Sequence, residues 1–367
     1  MILNRCLTSL ALFFFLFACA CGPGGSSSKK DTGEPGDVAQ DSSPADTLSD
    51  AGGTDSSPTD EGGVDGSQED PGGTDGGADV VPDISGEGEP NGEACPTEKR
   101  VGYFEVAHWG FYAAVAGHVT DGVIPLEVLQ AKEIDGDCRL MRKENPFCDP
   151  PCGAGQLCNH DGTCLQYPEN KSVGTVTVEG LLEAVVMEPS ITNAYAETDV
   201  NMPFFENNAK VSLIAQGADV EGFTLYGYGV EDLVVAASIL TLIKGEDLNV
   251  TWTASEGKGN IHMRLNVDQH GNSPVTMVCD LPDTGSALLP GVLLKILLEY
   301  GVSGFATFDI YRRTVDSVWL GDSCVELRTL SFSPGKVLVE GHVPCFGDND
   351  CPEGETCKVA INTCVGE

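Results

Sequence analysis

No stretch of this 367-residue chain is long and apolar enough to be expected to span a bilayer, which takes about 20 consecutive apolar residues. The first apolar run, Leu7 to Phe17, is too short, and the most apolar later stretch, Ser286 to Tyr300, is interrupted by Pro290, Gly291, Lys295 and Glu299. Basic side chains are scarce: 20 Lys and Arg stand against 56 Asp and Glu, a formal net charge of −36. That sign argues against nucleic acid and against anionic headgroups as direct partners. The chain also lacks a Gly-x-Ser-x-Gly elbow and a phosphate loop, which removes the common serine-hydrolase and nucleotide-binding signatures. Its six histidines, His108, His118, His160, His262, His270 and His342, show no metal-ligand spacing.

What is present begins at the N-terminus. Asn4-Arg5 is followed by the short apolar run and then by Ala18-Cys19-Ala20-Cys21 and Gly22-Pro23-Gly24-Gly25. A basic start, a short apolar stretch and small residues before a cut are the marks of an export signal. Leu16-Phe17-Ala18-Cys19 resembles the lipobox of bacterial lipoproteins. The resemblance implies that the signal is removed and that Cys19 carries diacylglycerol and acyl chains, palmitate among them, as the first residue of the mature protein. Cys21 is the alternative, although Ala18 stands where Leu16 stands for Cys19. Each buried CH₂ of an acyl chain contributes about 0.8 kcal/mol, and more than one chain gives stable anchoring. The membrane is then a partner through the anchor alone, and the expected location is the outer membrane, on its periplasmic or its cell-surface side. Ala20 rather than Asp after Cys19 removes the family's inner-membrane retention signal.

From Gly22 to Ala94 the chain is Gly, Ser, Asp, Thr, Pro and Glu, with 18 acidic residues against Lys29 and Lys30. Such a segment cannot bury enough surface to offset the entropy of ordering it, so it is expected to be a disordered tether. As a flexible coil it would span roughly 50 Å, and self-repulsion extends it. It contains no Asp-x-Asp-x-Asp-Gly loop, and isolated carboxylates on a mobile chain do not make a calcium cage. The expected plan is a signal over residues 1–18, an acidic tether over 19–94, a β-hairpin part over 95–147, a first cysteine knot over 148–164, a β-sandwich body over 165–344 and a second knot over 345–367.

Cysteine usage follows from export. Beyond Cys6, Cys19 and Cys21 there remain Cys95, Cys138, Cys148, Cys152, Cys158, Cys164, Cys279, Cys324, Cys345, Cys351, Cys357 and Cys364. An even set in an oxidising compartment predicts disulfides. Two clusters, Cys148 to Cys164 and Cys345 to Cys364, share the core Cys-[Gly/Pro]-x-Gly-x-x-Cys and form an internal repeat. About 20 residues with four cysteines have no room for an apolar core, so crosslinks must hold them. The clusters resemble the cysteine-rich segments of EGF-like and Dickkopf-type modules, and similar knots recur in envelope lipoproteins of predatory and myxobacterial-type bacteria. No metal is expected, because zinc sites favour a tighter Cys-x2–4-Cys bite. Calcium at Asp348-Asn349-Asp350 or at Asp161 is the one cofactor such modules suggest. Sequence proximity pairs Cys95 with Cys138 and Cys279 with Cys324.

Between the knots the dominant period is two. Ile261, Met263, Leu265 and Val267 alternate with His262, Arg264, Asn266 and Asp268, and Leu248, Val250, Trp252 and Ala254 alternate with polar neighbours. Some ten short strands with Gly and Pro punctuation predict a mainly β, disulfide-braced sandwich, with hairpins over 103–141 as an appended sheet. One amphipathic helix is predicted, capped by Ser286, with Leu288, Leu289, Val292, Leu293, Ile296, Leu297 and Tyr300 on its buried face. Val230 to Ile243 reads equally as a helix or a strand.

Two motifs bear on function. Asp283-Thr284-Gly285-Ser286 resembles the catalytic loop of aspartic proteases, in which paired carboxylates activate water. That chemistry needs a second such loop, and the body contains none; the local alternative is a turn with Asp283 or Thr284 capping free N–H groups. The surrounding Leu281-Pro282-Asp283-Thr284-Gly285 also matches a wall-sorting signal, but it lies far inside the body instead of near the C-terminus. The row His262, Arg264, Asn266 and Asp268, with Trp109 and Trp319 elsewhere, is a candidate platform for a glycan or protein ligand. The expected function is therefore a lipid-anchored envelope protein with a non-enzymatic binding, adhesion or structural role. The alternative is an envelope-acting hydrolase that uses Asp283.

Overall fold

The computed structural model describes residues 88–109, 112–143, 148–237, 239–267 and 274–366. The export signal, Cys19, Cys21, the tether up to residue 87, Asp268 and His270 lie outside the described residues.

The chain alternates apolar and polar side chains over short runs, and it folds into strands accordingly. Four come first: β1 (Arg100–His108), β2 (Ala113–Val119), β3 (Leu129–Asp135) and β4 (Cys138–Lys143). The first knot adds β5 (Gln156–Cys158) and β6 (Cys164–Gln166). Then follow β7 (Val176–Glu179), β8 (Val185–Met187), β9 (Tyr195–Glu197), β10 (Lys210–Ala215) and β11 (Phe223–Tyr228). The next group is β12 (Ile239–Leu242), β13 (Leu248–Thr251), β14 (Asn260–Asn266), β15 (Val275–Leu281) and β16 (Ser286–Leu289). After α1 (Gly291–Glu299) come the long β17 (Thr307–Leu320) and β18 (Ser323–Val339), and the second knot ends the chain with β19 (Glu355–Lys358) and β20 (Thr363–Gly366). Among the described residues α1 is the only α-helix, and no helix is long and apolar enough to cross a membrane.

A ten-stranded sheet runs in the order β3-β4-β15-β14-β17-β18-β1-β2-β9, with β12 beside the far end of β18. The β17–β18 hairpin is its spine. β1 and β12 both lie parallel to β18, at successive stretches of the same edge. One face of this sheet carries two apolar cores side by side. The first is closed by a four-stranded sheet, β11-β10-β7-β8, which sets Val178, Leu213 and Leu225 against Phe104, Val106 and Leu327. The second is closed by the β13–β16 pair and α1, which set Trp252, Leu289, Leu293 and Leu297 against Met263, Met277 and Ile310. Period two puts these residues inside: β10 and β14 alternate buried and open positions along their whole length. Full burial of such side chains contributes about 1.5–3 kcal/mol each.

The architecture is mainly β, disulfide-braced and sandwich-like, with two small knots, as composition and period predict. Three details differ. The hairpins over 103–141 are not an appended sheet: β1 pairs with β18 and β4 with β15, so both belong to the large sheet. The disulfides of the body are Cys95–Cys324 and Cys138–Cys279, not the pairs nearest in sequence. Sheet register explains both, since Cys138 lies directly across from Cys279, and Cys95 precedes the strand that runs beside Cys324. The helix begins at Gly291, not at Ser286, because Ser286–Leu289 is a strand paired with β13. Val230 to Ile243, open between helix and strand in the sequence, includes β12, and its described residues form no helix.

The knots share one pairing pattern. Cys148–Cys158 and Cys152–Cys164 interlace in the first, and Cys345–Cys357 and Cys351–Cys364 in the second. The first is docked on the body by His160, whose Nε2 lies 3.0 Å from the Pro125 carbonyl; at the second, Gly304 donates its amide to the Ile361 carbonyl of the knot at 2.8 Å, and its carbonyl lies 2.8 Å from Nε2 of His342, just before the knot. Phe346 of the second knot stacks on Phe305 with ring centroids 4.7 Å apart.

Candidate functional site

Asp283 follows β15 in the loop that leads to β16. Its Oδ1 accepts a hydrogen bond from Trp252 Nε1 at 2.6 Å, and its Oδ2 accepts from Arg312 Nε at 2.6 Å and from the Ser255 amide at 3.3 Å. The pair is buried, with side chains only 4% (Asp283) and 2% (Arg312) exposed. The rest of the Arg312 guanidinium donates to the carbonyls of Glu231, Asp232 and Thr253 at 3.2, 3.0 and 2.5 Å. A buried ion pair holds only when its remaining donors and acceptors are satisfied, and here they are. No second carboxylate is among the partners of Asp283 in the described residues, and both of its oxygens already hold donors. The geometry is that of a loop fastened to the sheet: the expected turn is present, but it leads into β16 and not into a helix, and the main-chain N–H that Asp283 accepts is that of Ser255.

The face of the large sheet opposite the cores is built from arginine, acid and aromatic side chains. His262 Nδ1 lies 2.7 Å from Asp280 Oδ1, and the same carboxylate accepts from Arg313 at 3.0 Å and from Arg139 at 2.5 Å. Burial pushes His262 down to about 4, against the opposing pull of Asp280. Burial works to raise Asp280, but the hydrogen bond from His262 and the charge of Arg313 outweigh it and hold the carboxyl below its usual range. Arg264 pairs with Asp309 at 3.0 Å. Further along the face Arg328 bonds Glu105 at 2.9 Å, also bonds Glu326, and lies 4.7 Å from the centre of the Tyr103 ring. Tyr311 packs on Phe332, and burial pushes its hydroxyl up to about 12. Beneath this layer Leu330, Val278 and Ala107 are buried. Long arginine stems can cover apolar surface of this kind while their heads stay in water.

The expected row is thus split. His262 is tied to Asp280 and Arg264 to Asp309, Asn266 extends the same face, and Asp268 is outside the described residues. Trp319 is exposed near the end of β17, and Trp109 stacks on Tyr112 at the tip of the β1–β2 hairpin.

Beside this face opens a cleft of about 770 Å³, within the range of ligand sites. Its floor is Arg313, Thr314 and Val315 of β17; one wall is Asp280 to Pro282 with Asn260, and the other is the segment from Glu89 to Ala94. That segment is a strap. The Asn91 amide donates to Asp316 Oδ1 at 2.8 Å and its side-chain amide to the Ser317 carbonyl at 2.8 Å. The Cys95 amide donates to Glu326 Oε2 at 2.9 Å, next to the Cys95–Cys324 bond. At the other end Tyr228 donates to Glu89, and Lys258 donates to the Tyr228 hydroxyl at 2.9 Å. Residues 88–94, expected as the end of the spacer, are therefore part of the body. Their polar composition conceals this, because they are held by side-chain and main-chain hydrogen bonds and not by apolar burial. Arg312, by contrast, had a legible signal: it occupies the apolar parity of Phe308 and Ile310 on β17.

The residues suggested for calcium serve their own turns. Asp161 accepts from the amide and hydroxyl of Thr163, Asp350 from the amides of Phe346 and Gly347, and Asp348 from the amide of Cys357. The sulfurs of Cys148, Cys152 and Cys164 lie close together, as do those of Cys345, Cys351 and Cys364. All six are in disulfides, so none is a thiolate, the form in which cysteine ligates metal.

No protein-family model matches this chain, and no curated protein matches it.

Proposed function

We propose that this protein is a lipid-anchored component of a bacterial cell envelope, held by Cys19 on the outer membrane, that presents its disulfide-braced β body for binding. The observation that carries the reading is the complete pairing of the twelve body cysteines in six disulfides, which fits export to an oxidising compartment and joins to the lipobox-like Leu16-Phe17-Ala18-Cys19. The body offers a cleft and a broad arginine-and-aromatic face, surfaces suited to holding a ligand. Asp283, the residue on which a hydrolytic reading would rest, is committed to Arg312 and Trp252, which favours a binding role over an aspartic-type one.

Mass spectrometry of the mature N-terminus tests the anchor. A diacylglyceryl group and acyl chains on Cys19 are the expected result. An unmodified N-terminus, or cleavage that leaves neither Cys19 nor Cys21 at the end, overturns the anchored reading.

A further inference from the structure

The floor of the cleft is an unpaired strand edge. Leu320 and Ser323 flank the two-residue turn at Gly321-Asp322 and pair directly. In such a hairpin the flanking residues exchange their main-chain hydrogen bonds, and alternate residues along the strand do the same. Thr314, Asp316 and Val318 therefore bond across to β18, whereas Val315, Ser317 and Trp319 direct their N–H and C=O groups outward. On that outer side β14 accompanies β17 only as far as the Asn260–Arg313 pair. Beyond it, among the described residues, only the Ser317 carbonyl has a protein partner, the Asn91 side chain. The strap thus covers the middle of the edge and leaves the main chain of Val315 open to the cleft.

A bare strand edge is a template for another strand. We infer that the cleft is a peptide-binding groove, in which an extended peptide segment adds to β17 at Val315. One feature defines the ligand class. The main-chain groups of Val315 call for a partner that is itself a polypeptide in extended form. The charged lining is balanced, with Arg313 and Lys258 against Asp280 and Glu89, so charge does not narrow the class further. The inference rests on the binding reading above and is independent of the anchor.

Val315→Pro removes the outward N–H without costing a ladder bond, because proline is tolerated where an edge N–H has no partner. Val315→Ala shortens the side chain and keeps the N–H. The test is to select a random peptide library on the full chain, with counter-selection on the full-length Val315→Pro protein, and to titrate the selected peptides. The expected outcome is a set of peptides whose affinity falls about tenfold or more for Val315→Pro, in line with one lost hydrogen bond, and is kept by Val315→Ala. N-methylation of alternate peptide residues, which leaves the protein untouched, should abolish binding to the wild type. Peptides that bind both proteins equally, or that tolerate N-methylation at every position, overturn the inference. So does a concentration-dependent dimer of the full chain that Val315→Pro dissolves, since the edge would then serve a second copy. Glycan-array binding that Val315→Pro leaves intact also overturns it, while leaving the broader binding reading in place.

Discussion

Arg312 and His262 are polar side chains withdrawn from water, and they are handled differently. Arg312 has its donors taken up by Asp283 and three carbonyls. His262 gives its charge up: burial lowers it to about 4 although Asp280 lies beside it. The sign of the stability effect follows. Between about pH 4 and 6.5 the unfolded chain binds a proton at this position that the folded chain does not, so stability rises with pH across the window and falls as the solution is acidified through it. At about 1.4 kcal/mol per unit, His262 alone accounts for a loss of roughly 3 kcal/mol from neutral pH down to pH 4. Urea unfolding at a series of pH values should show this slope in the wild type and a shallower one in His262→Gln. Equal slopes would mean that the imidazole titrates as it does in water. The pattern of alternation announces that both residues are unusual or polar-facing, but not what they meet, since Asp283 and Asp280 arrive from other strands.

Helix α1 shows how far period alone carries at the scale of an element. The apolar spacing from Leu288 to Tyr300 is helical throughout, yet the first part of it is β16. Pairing of Leu248 with Leu289 turns Leu289 inward and leaves Leu288 exposed. Pro290 then resets the phase, and the Gly291 amide is met by Asp247 Oδ1 at 2.7 Å, so the helix start is held by a neighbouring loop and not by Ser286. The buried face becomes Leu293, Leu294 and Leu297, while Val292 is 63% exposed. Leu294→Ala should cost about 2–5 kcal/mol, the usual range for a large-to-small change in a core. Val292→Ala should stay within about 0.5 kcal/mol, as a surface change does. Chemical denaturation of the two variants separates the observed face from the one that spacing predicts, because the predicted face demands a cost at Val292 and none at Leu294.

For the whole molecule, the Cys95–Cys324 bond closes a span of 229 residues and joins the root of the strap to the first turn of the longest strand. Closing so long a loop restricts the unfolded chain more than any bond within a knot does. Replacing both cysteines by serine should lower stability by about 3–5 kcal/mol and loosen the strap, read as faster amide exchange at Asn91 and Cys95. Removing Cys345 and Cys357 should instead leave the exchange of β17 and β18 unchanged, since the second knot touches the body mainly through Gly304 and Phe305.

Residue order by itself determined those properties that depend on neighbours a few positions away. These are the two knots and a mainly β body whose strands follow period two and, as expectations, an export signal with a lipobox-like end and an acidic tether. Tertiary structure decided what depends on residues far apart in the chain. Sheet register chose the partners of Cys95, Cys138, Cys279 and Cys324, and the return of β17 past β15 set Arg312 against Asp283. The strap over 88–95, laid along an edge that β14 leaves uncovered, created the cleft. Local pattern records which side of a strand is apolar; it holds no record of which strand lies next to it, and every site described in this protein is formed where two distant strands meet.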